Sequence, residues 1–323
     1  MHKMSDRPVL VVDGLNFFMR HFVANPTMSD HGNHVGGFVG FLKGLGHLCD
    51  RIAPSEIVVV WESGGSPRRR AIFKDYKDKR RPQKLNRYYQ DDIPDTTQNR
   101  DNQITKIIEA LRCVPATQIY VPDCEADDVI SYLVQYHYKD SKCVIVSSDR
   151  DMYQLLSKRV VQWSPGQKKY ITIKTLVEKY GISAVNFCTA RAFIGDDSDK
   201  IDGVPRAGFA SLSKRFPDLK ESTFLSVNNL IDSAQEKIKN KKLKLYENMI
   251  QYSDRARRNW RLMHLDTNNL SADHIKKIKF SFENSSPSGN KMLLVKMMFR
   301  EGVKNFDIDS FYASLKASTV LSK

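Results

Sequence analysis

Residues 119–151, IYVPDCEADDVISYLVQYHYKDSKCVIVSSDRD, decide the fold. Ile119, Tyr120 and Val121 read as a short buried strand that Pro122 stops. Glu125, Asp127 and Asp128 then stand where a helix should begin, because Val129, Ile130, Leu133 and Val134 recur at helical spacing. Cys143, Val144, Ile145 and Val146 form a second strand, which runs into Ser147-Ser148-Asp149-Arg150-Asp151 and a further helix over 152–156. Two strand ends thus deliver five carboxylates to the crevice in which open α/β sheets hold their ligands. Helix capping and the helix dipole would account for one acid per helix. They do not account for three acids within four residues followed by Asp-x-Asp. Without a cation such a group repels itself, and some members must take up protons. A hard divalent ion removes the repulsion, and magnesium favours a few carboxylates with several waters.

Composition narrows the class. At 323 residues, 41% hydrophobic and 10% aromatic, the chain is long enough to bury a full core as a folded soluble protein of one large or two small domains. No apolar run approaches the roughly 18 residues of a membrane span, so no membrane association is expected. The amino end passes from a short polar tail into a strand, which reads as no signal peptide. Cys49, Cys113, Cys124, Cys143 and Cys188 are scattered and form no CxxC, as expected of buried thiols in a reducing compartment. The formal charge of +14 surrounds an acidic cluster. A basic body around an acidic pocket suits a polyanion held by its phosphates while metal ions act on it.

Outward from the central stretch, residues 8–12 form a strand of buried type that delivers Asp13, and 56–61 form another with Glu62 at its carboxyl end. Three strands therefore end in acids. His31 and His34, in a polar loop, read as solvent-facing rather than as a zinc pair. Residues 66–90 change character. Arg68, Arg69, Arg70, Lys74, Lys77, Lys79, Arg80, Arg81, Lys84 and Arg87 face only Asp75 and Asp78, with Phe73, Tyr76, Tyr88 and Tyr89 interleaved. A segment so one-sided repels itself and should be mobile without a polyanion, while tyrosines among bases suit stacking on single strands. Further on, 160–163 and 170–173 read as a hairpin around Ser164-Pro165-Gly166. Asp196 and Asp199 add two acids in a turn, and GVPRAG (203–208) is a tight turn whose amides could receive a phosphate. Residues 234–261 read as a basic outer helical face and 292–299 as one amphipathic stretch.

In this order the elements resemble the 5′ nuclease family: flap endonucleases, the 5′ nuclease domain of bacterial DNA polymerase I, and phage 5′–3′ exonucleases, with a phage-type RNase H as the nearest pattern. The resemblance covers roughly residues 8–270 and rests on VVDG with Asp13, VVVWE with Glu62, YKDKR at 76–80, EADD at 125–128, SSDRD at 147–151, WSPGQKKY at 163–170, GDDSD at 195–199 and GVPRAG. It implies a mostly parallel sheet flanked by helices, PIN-like, as a catalytic core over 1–183 with a basic arch at 66–100. A helix-hairpin-helix region for duplex binding would occupy 184–270, and a helical extension 271–323. By similarity, Asp13, Glu62, Glu125, Asp127, Asp128, Asp149, Asp151, Asp196 and Asp199 hold two or three Mg2+ or Mn2+ ions. Glu125, Asp127 and Asp149, with Asp13 and Glu62 beside them, lie nearer the first ion, and Asp151, Asp196 and Asp199 nearer the second. Lys77 and Arg80 stand beside the scissile phosphate at the foot of the arch. Arg68, Arg69, Arg70, Lys74, Tyr76, Arg81 and Lys84 contact nucleic acid in the arch. Gly203, Val204, Arg206 and Gly208 do so at the hairpin, with a potassium ion.

The implied enzyme is a structure-specific 5′–3′ exonuclease and flap endonuclease of replication or repair. It would cut DNA and RNA–DNA hybrids at 5′ ends or flaps, with RNase H-type primer removal, and leave 5′-phosphates. A cytoplasmic monomer is implied, in the infected host for a phage protein, with a single-strand-binding protein among its partners. Three departures qualify the resemblance. Glu62 stands where aspartate is usual, Arg206 takes a glycine position of the turn, and Ala210 replaces a lysine. Two rivals remain: a PIN-type ribonuclease, usually shorter and without the arch or the GVP turn, and a module that binds branched nucleic acid without cutting it.

Overall fold

The computed structural model describes residues 7–62, 64–77, 97–285 and 289–320, with only the backbone described over 317–320. Six strands form one sheet: β1 (Val9–Asp13), β2 (Glu56–Trp61), β3 (Thr117–Tyr120), β4 (Cys143–Val146), β5 (Val160–Ser164) and β6 (Lys169–Ile171). Their order is β3-β2-β1-β4-β5-β6. The first five are parallel, and β6 closes the edge as the antiparallel arm of the expected hairpin. Every residue of β1 and β4 is buried, the uniform apolar pattern of strands covered on both faces.

From β1 the chain passes to α1 (Gly14–Ala24) and α2 (Gly36–Ile52), and from β2 to α3 (Pro67–Ile72) and α4 (Thr97–Leu111). After β3 comes α5 (Ala126–Tyr132); β4 is followed by a 3-10 turn (Asp151–Leu155) where an α-helix was expected. Alternation along β1 then assigns the layers. Leu10 and Val12 face α1, α2 and α4, while Val9 and Val11 face α5. A helical lobe follows, with its own core: α6 (Ile173–Tyr180), α7 (Ala184–Ile194), α8 (Phe209–Arg215), α9 (Val227–Asn240), α10 (Lys244–Gln251) and α11 (Ser253–Met263).

The last helices return to the sheet layers. Ile278 of α12 (Ala272–Glu283) joins the β3 side; Leu294 and Met298 of α13 (Lys291–Arg300) and Phe311 and Leu315 of α14 (Ile308–Val320) join the α2 side. The amphipathic reading of 292–299 holds for Leu294, Met297 and Met298, whereas Met292 and Phe299 are exposed on the same helix. All five cysteines are free and buried. Among the described residues no helix is long and apolar enough to cross a membrane.

One loop reading is corrected here. His31 is exposed, but His34 is buried: its Nε2 lies 2.8 Å from the Asn25 carbonyl, and its Nδ1 lies 3.2 Å from Gln103. The imidazole ties the α1–α2 loop to α4, a tertiary contact that a polar loop sequence does not announce.

Candidate metal centre

The chain runs outward from β1 through β2 to β3, then returns beside β1 with β4 and continues to β5. The strand order therefore reverses between β1 and β4, where open α/β sheets place their sites. Asp13 is the last residue of β1, Glu62 follows β2, and Asp149 and Asp151 follow β4. Glu125 stands at the N-cap position of α5, without a side-chain capping bond, and Asp127 lies in the helix's first turn. Asp196 and Asp199 come from the loop after α7.

Several of these acids also cap helices or turns. Asp13 Oδ1 accepts from the Asn16 amide (3.1 Å), capping α1, while its Oδ2 accepts from Ser147 Oγ (3.0 Å). Ser147 Oγ also accepts from the Asp149 amide at 3.0 Å, so this serine fixes the β1 acid against the β4 loop. Asp149 Oδ1 accepts from the Asp151 amide (2.8 Å), and Asp196 Oδ1 from the Ser198 amide (2.9 Å).

The mutual repulsion expected of such a cluster is present. Burial first, then the charges of Asp149 and Glu62, push Asp13 up to about 7 despite its hydrogen bonds. Burial and then Asp149 likewise push Asp151 to about 7, against the pull of Arg191. Burial followed by Asp149 and Asp13 holds Asp127 well above the carboxylate range, and burial followed by Asp199 and Asp196 raises Asp149. Asp196 goes the other way: burial would raise it, but Arg191 and Ser198 outweigh burial and hold it low.

Two cavities meet at Asn16, Ser148 and Asp149. One, of about 370 Å³, is lined by Asp13, Glu62, Lys77 and Asp127, with Leu15 and Met19 as an apolar wall. The other, of about 500 Å³, is lined by Arg150, Arg191, Asp196 and Asp197. Among the described residues no three acids stand close enough to enclose one ion by themselves. The donor set suits a cation that keeps part of its water shell, as magnesium does, and the raised carboxylates are the groups that a divalent charge would relieve.

Three expected site residues change role. Asp128 is 1% exposed and turned away from the cavities. It accepts two parallel bonds from Arg69 (2.5 and 2.8 Å) and one from Asn269 Nδ2 (2.8 Å). Arg69, expected on nucleic acid, is 2% exposed and donates through Nε to the Leu262 carbonyl (2.7 Å). Tyr76, expected to stack on bases, is buried and donates to Glu125 Oε2 at 3.1 Å. Val204 is also buried, and its backbone is engaged within the fold: its amide donates to the Phe193 carbonyl (2.6 Å) and its carbonyl accepts from the Ala207 amide (3.0 Å). Arg68, Arg70 and Lys74 are exposed. Arg80, Arg81 and Lys84 lie outside the described residues.

Lys77 does reach the site. Its Nζ is 2.9 Å from Glu125 Oε1 and 4.0 Å from Asp199 Oδ2. Burial would lower its pKa, but Glu125, Asp127 and Asp199 outweigh burial and hold the ammonium firmly charged. Arg191 is not among the expected residues. Its guanidinium pairs with Asp151 (3.3 Å) and Asp196 and donates to the Gly195 carbonyl (2.8 Å). The sequence shows only a base in the last turn of a helix, a placement that ordinarily complements the helix dipole.

An acid-lined switch point in a mostly parallel sheet, with the Lys77 ammonium at its edge, is an arrangement suited to a metal-dependent α/β nuclease. The chain belongs to the 5′–3′ exonuclease family: residues 8–181 match its N-terminal resolvase-like domain. It is 30% identical over 204 residues to a 5′–3′ exonuclease of Aquifex aeolicus, covering 62% of this chain and 66% of the relative. It is 27% identical over 267 residues to the flap endonuclease Xni of Shewanella woodyi, covering 80% and 92%. The bacteriophage T5 flap endonuclease, solved with DNA and metal ions, superposes with a TM-score of 0.67 at 19% identity, covering 86% of this chain and 98% of that one.

Proposed function

We propose that the protein is a structure-specific 5′ nuclease that hydrolyses phosphodiesters at the 5′ ends or flaps of duplexes and leaves 5′-phosphates. The observation that carries this is the convergence of Asp13, Glu62, Asp127 and Asp149, from four chain segments, on one cavity that adjoins a second lined by Asp196. The relatives named as 5′–3′ exonucleases and flap endonucleases support it, as does the T5 enzyme solved with DNA and metal ions.

Asp127 and Asp149, with Asp13, Glu62 and Glu125 beside them, would hold one Mg2+ or Mn2+, and Asp151, Asp196 and Asp199 a second. Bound there, such ions supply an activated water and charge relief at the phosphodiester. The chain's own part is positional. Ser147 and the helix caps hold the acids in place, and Lys77 brings a firmly charged ammonium to the rim of the cavity, where it would offset charge building on the phosphoryl oxygens. Arg80 is proposed for the same task. Leu15, Met19 and Val23 form an apolar wall on the α1 side.

The turn after the acid loop would take the duplex backbone, with a potassium ion at its carbonyls. Arg206 there has φ +70°, so the backbone keeps the left-handed conformation that the family's glycine would have, and its exposed guanidinium is free to meet a phosphate. RNA–DNA hybrids are proposed as substrates beside DNA, which makes primer removal part of the activity.

A 5′-labelled flapped duplex tests the reading. With magnesium, short 5′-phosphorylated products are expected, and EDTA should abolish them. Cleavage that survives full chelation, or products bearing 5′-hydroxyls, would overturn it.

A further inference from the structure

The two acid groups around Asp149 are neutralised in different ways. Lys77 serves Glu125 and Asp199 from the segment after α3, at the end of a flexible stem whose side chain is 18% exposed. Arg191 serves Asp151 and Asp196 from inside the helical lobe, with its side chain 6% exposed. Nη1 is anchored on the Gly195 carbonyl at the end of the same helix, and Nε and Nη2 both approach Asp151 Oδ1, at 3.4 and 3.3 Å. An arginine so held stays charged at every working pH, and its planar fork cannot turn aside without breaking several bonds at once.

We propose that Arg191 is a built-in counter-ion of the Asp151–Asp196 group and sets the order in which divalent ions load. This rests on the two-ion reading above. A cation entering the Asp196 cavity meets a fixed positive charge on the very oxygens it needs, whereas one entering the Asp13–Asp127 cavity meets Lys77, which can swing out toward solvent, and Arg20 on the α1 wall. The first ion therefore loads onto the free protein. The second loads well only when a phosphate brings negative charge to offset Arg191, so the complete centre assembles on a bound nucleic-acid end. Arg191 is thus a positioning residue that makes the second site conditional on substrate.

The test is a Mn2+ titration of the full chain without nucleic acid, following free Mn2+ by electron paramagnetic resonance. Wild type should show one tighter ion and a second at least about tenfold weaker. Arg191→Gln should tighten the second by about tenfold or more, because one unit charge is removed from contact with its ligands. Arg191→Lys, which keeps the charge, should leave the second ion weak. A 5′-phosphorylated oligonucleotide should tighten the second ion in wild type, a measurement that decides the matter even if Arg191→Gln fails to fold.

Equal second-ion affinity in all three proteins would overturn the proposal and leave the two-ion reading standing. So would an equal weakening in both variants, which would mark Arg191 as structural only, or a second ion indifferent to the oligonucleotide. Wild type that binds no ion, together with chelator-resistant cleavage, would overturn the two-ion reading and this proposal with it.

Discussion

Asp127 and Asp128 are neighbours on α5, and one helical step of about 100° separates their fates. Asp127 lines the cavity beside Asp13 and Asp149. Asp128 points into the protein, where Arg69 meets it with two parallel hydrogen bonds and Asn269 with a third. The same arginine lies 3.3 Å from Glu125 Oε2, so one buried guanidinium ties α3 to the start of the acid-bearing helix. Removing it strands a buried carboxylate. Arg69→Met should lower unfolding stability by about 3–5 kcal/mol. Arg69→Lys should recover little, since an ammonium cannot form the paired bonds to Asp128. Urea denaturation measures both. An unchanged midpoint would mean that Arg69 belongs to the nucleic-acid surface after all.

At the scale of elements, the acid loop and the 203–208 turn are pressed together. The Val204 amide donates to the Phe193 carbonyl (2.6 Å), and the Asp196 amide to the Ile201 carbonyl (2.7 Å). A Cβ on Gly203 would come within 2.0 Å of the Ile194 carbonyl oxygen, so no other residue fits there. Any movement of the turn would therefore be felt at Asp196. Arg206, by contrast, projects outward at φ +70°, a conformation that costs a side-chain-bearing residue about 1–2 kcal/mol. Arg206→Gly relieves that strain but frees the unfolded chain, so stability should change by no more than about 1 kcal/mol. If the guanidinium holds a phosphate, the salt slope of DNA affinity should fall by about one contact. Binding isotherms at several salt concentrations would show this, and an unchanged slope would remove Arg206 from the interface.

Over the whole molecule, the raised acids make folding depend on pH and on metal. Asp13 and Asp151 titrate near about 7 when folded but near the ordinary carboxylate value when unfolded. The unfolded chain therefore gives up these protons first, and the stability they contribute is fully present below about pH 4 and lost as pH rises through about 7. Asp196, held low by Arg191, acts in the opposite sense, and its contribution disappears only as pH falls below about 4. Metal-free protein should thus melt at a lower temperature at about pH 8 than at about pH 5, and magnesium should raise the melting point more at the higher pH, because ion binding favours the folded, ionised acids. Calorimetry with and without magnesium would check it. A magnesium effect independent of pH would show that these carboxylates are not its ligands.

The buried-strand pattern and the acids at strand ends were legible without coordinates, because both are local. An all-apolar run means a strand covered on two faces, and an acid right after it must emerge at the sheet's carboxyl edge. Asp13, Glu62 and Asp149 follow from that rule alone, and the β5–β6 hairpin from the Ser164-Pro165-Gly166 turn between two strand-like runs. Which way a residue points from a helix is not local. Asp127 and Asp128 look alike in EADD, and Arg69 looks like its neighbours Arg68 and Arg70, until α3 is laid against α5 and α11. Arg69 and Asp128 are 59 positions apart, Arg191 and Asp151 40 apart, and His34 and Gln103 69 apart. The partner of a buried charge is chosen by which surfaces meet in the folded core, so tertiary packing, and not the motif, decided which acids are left for a cation.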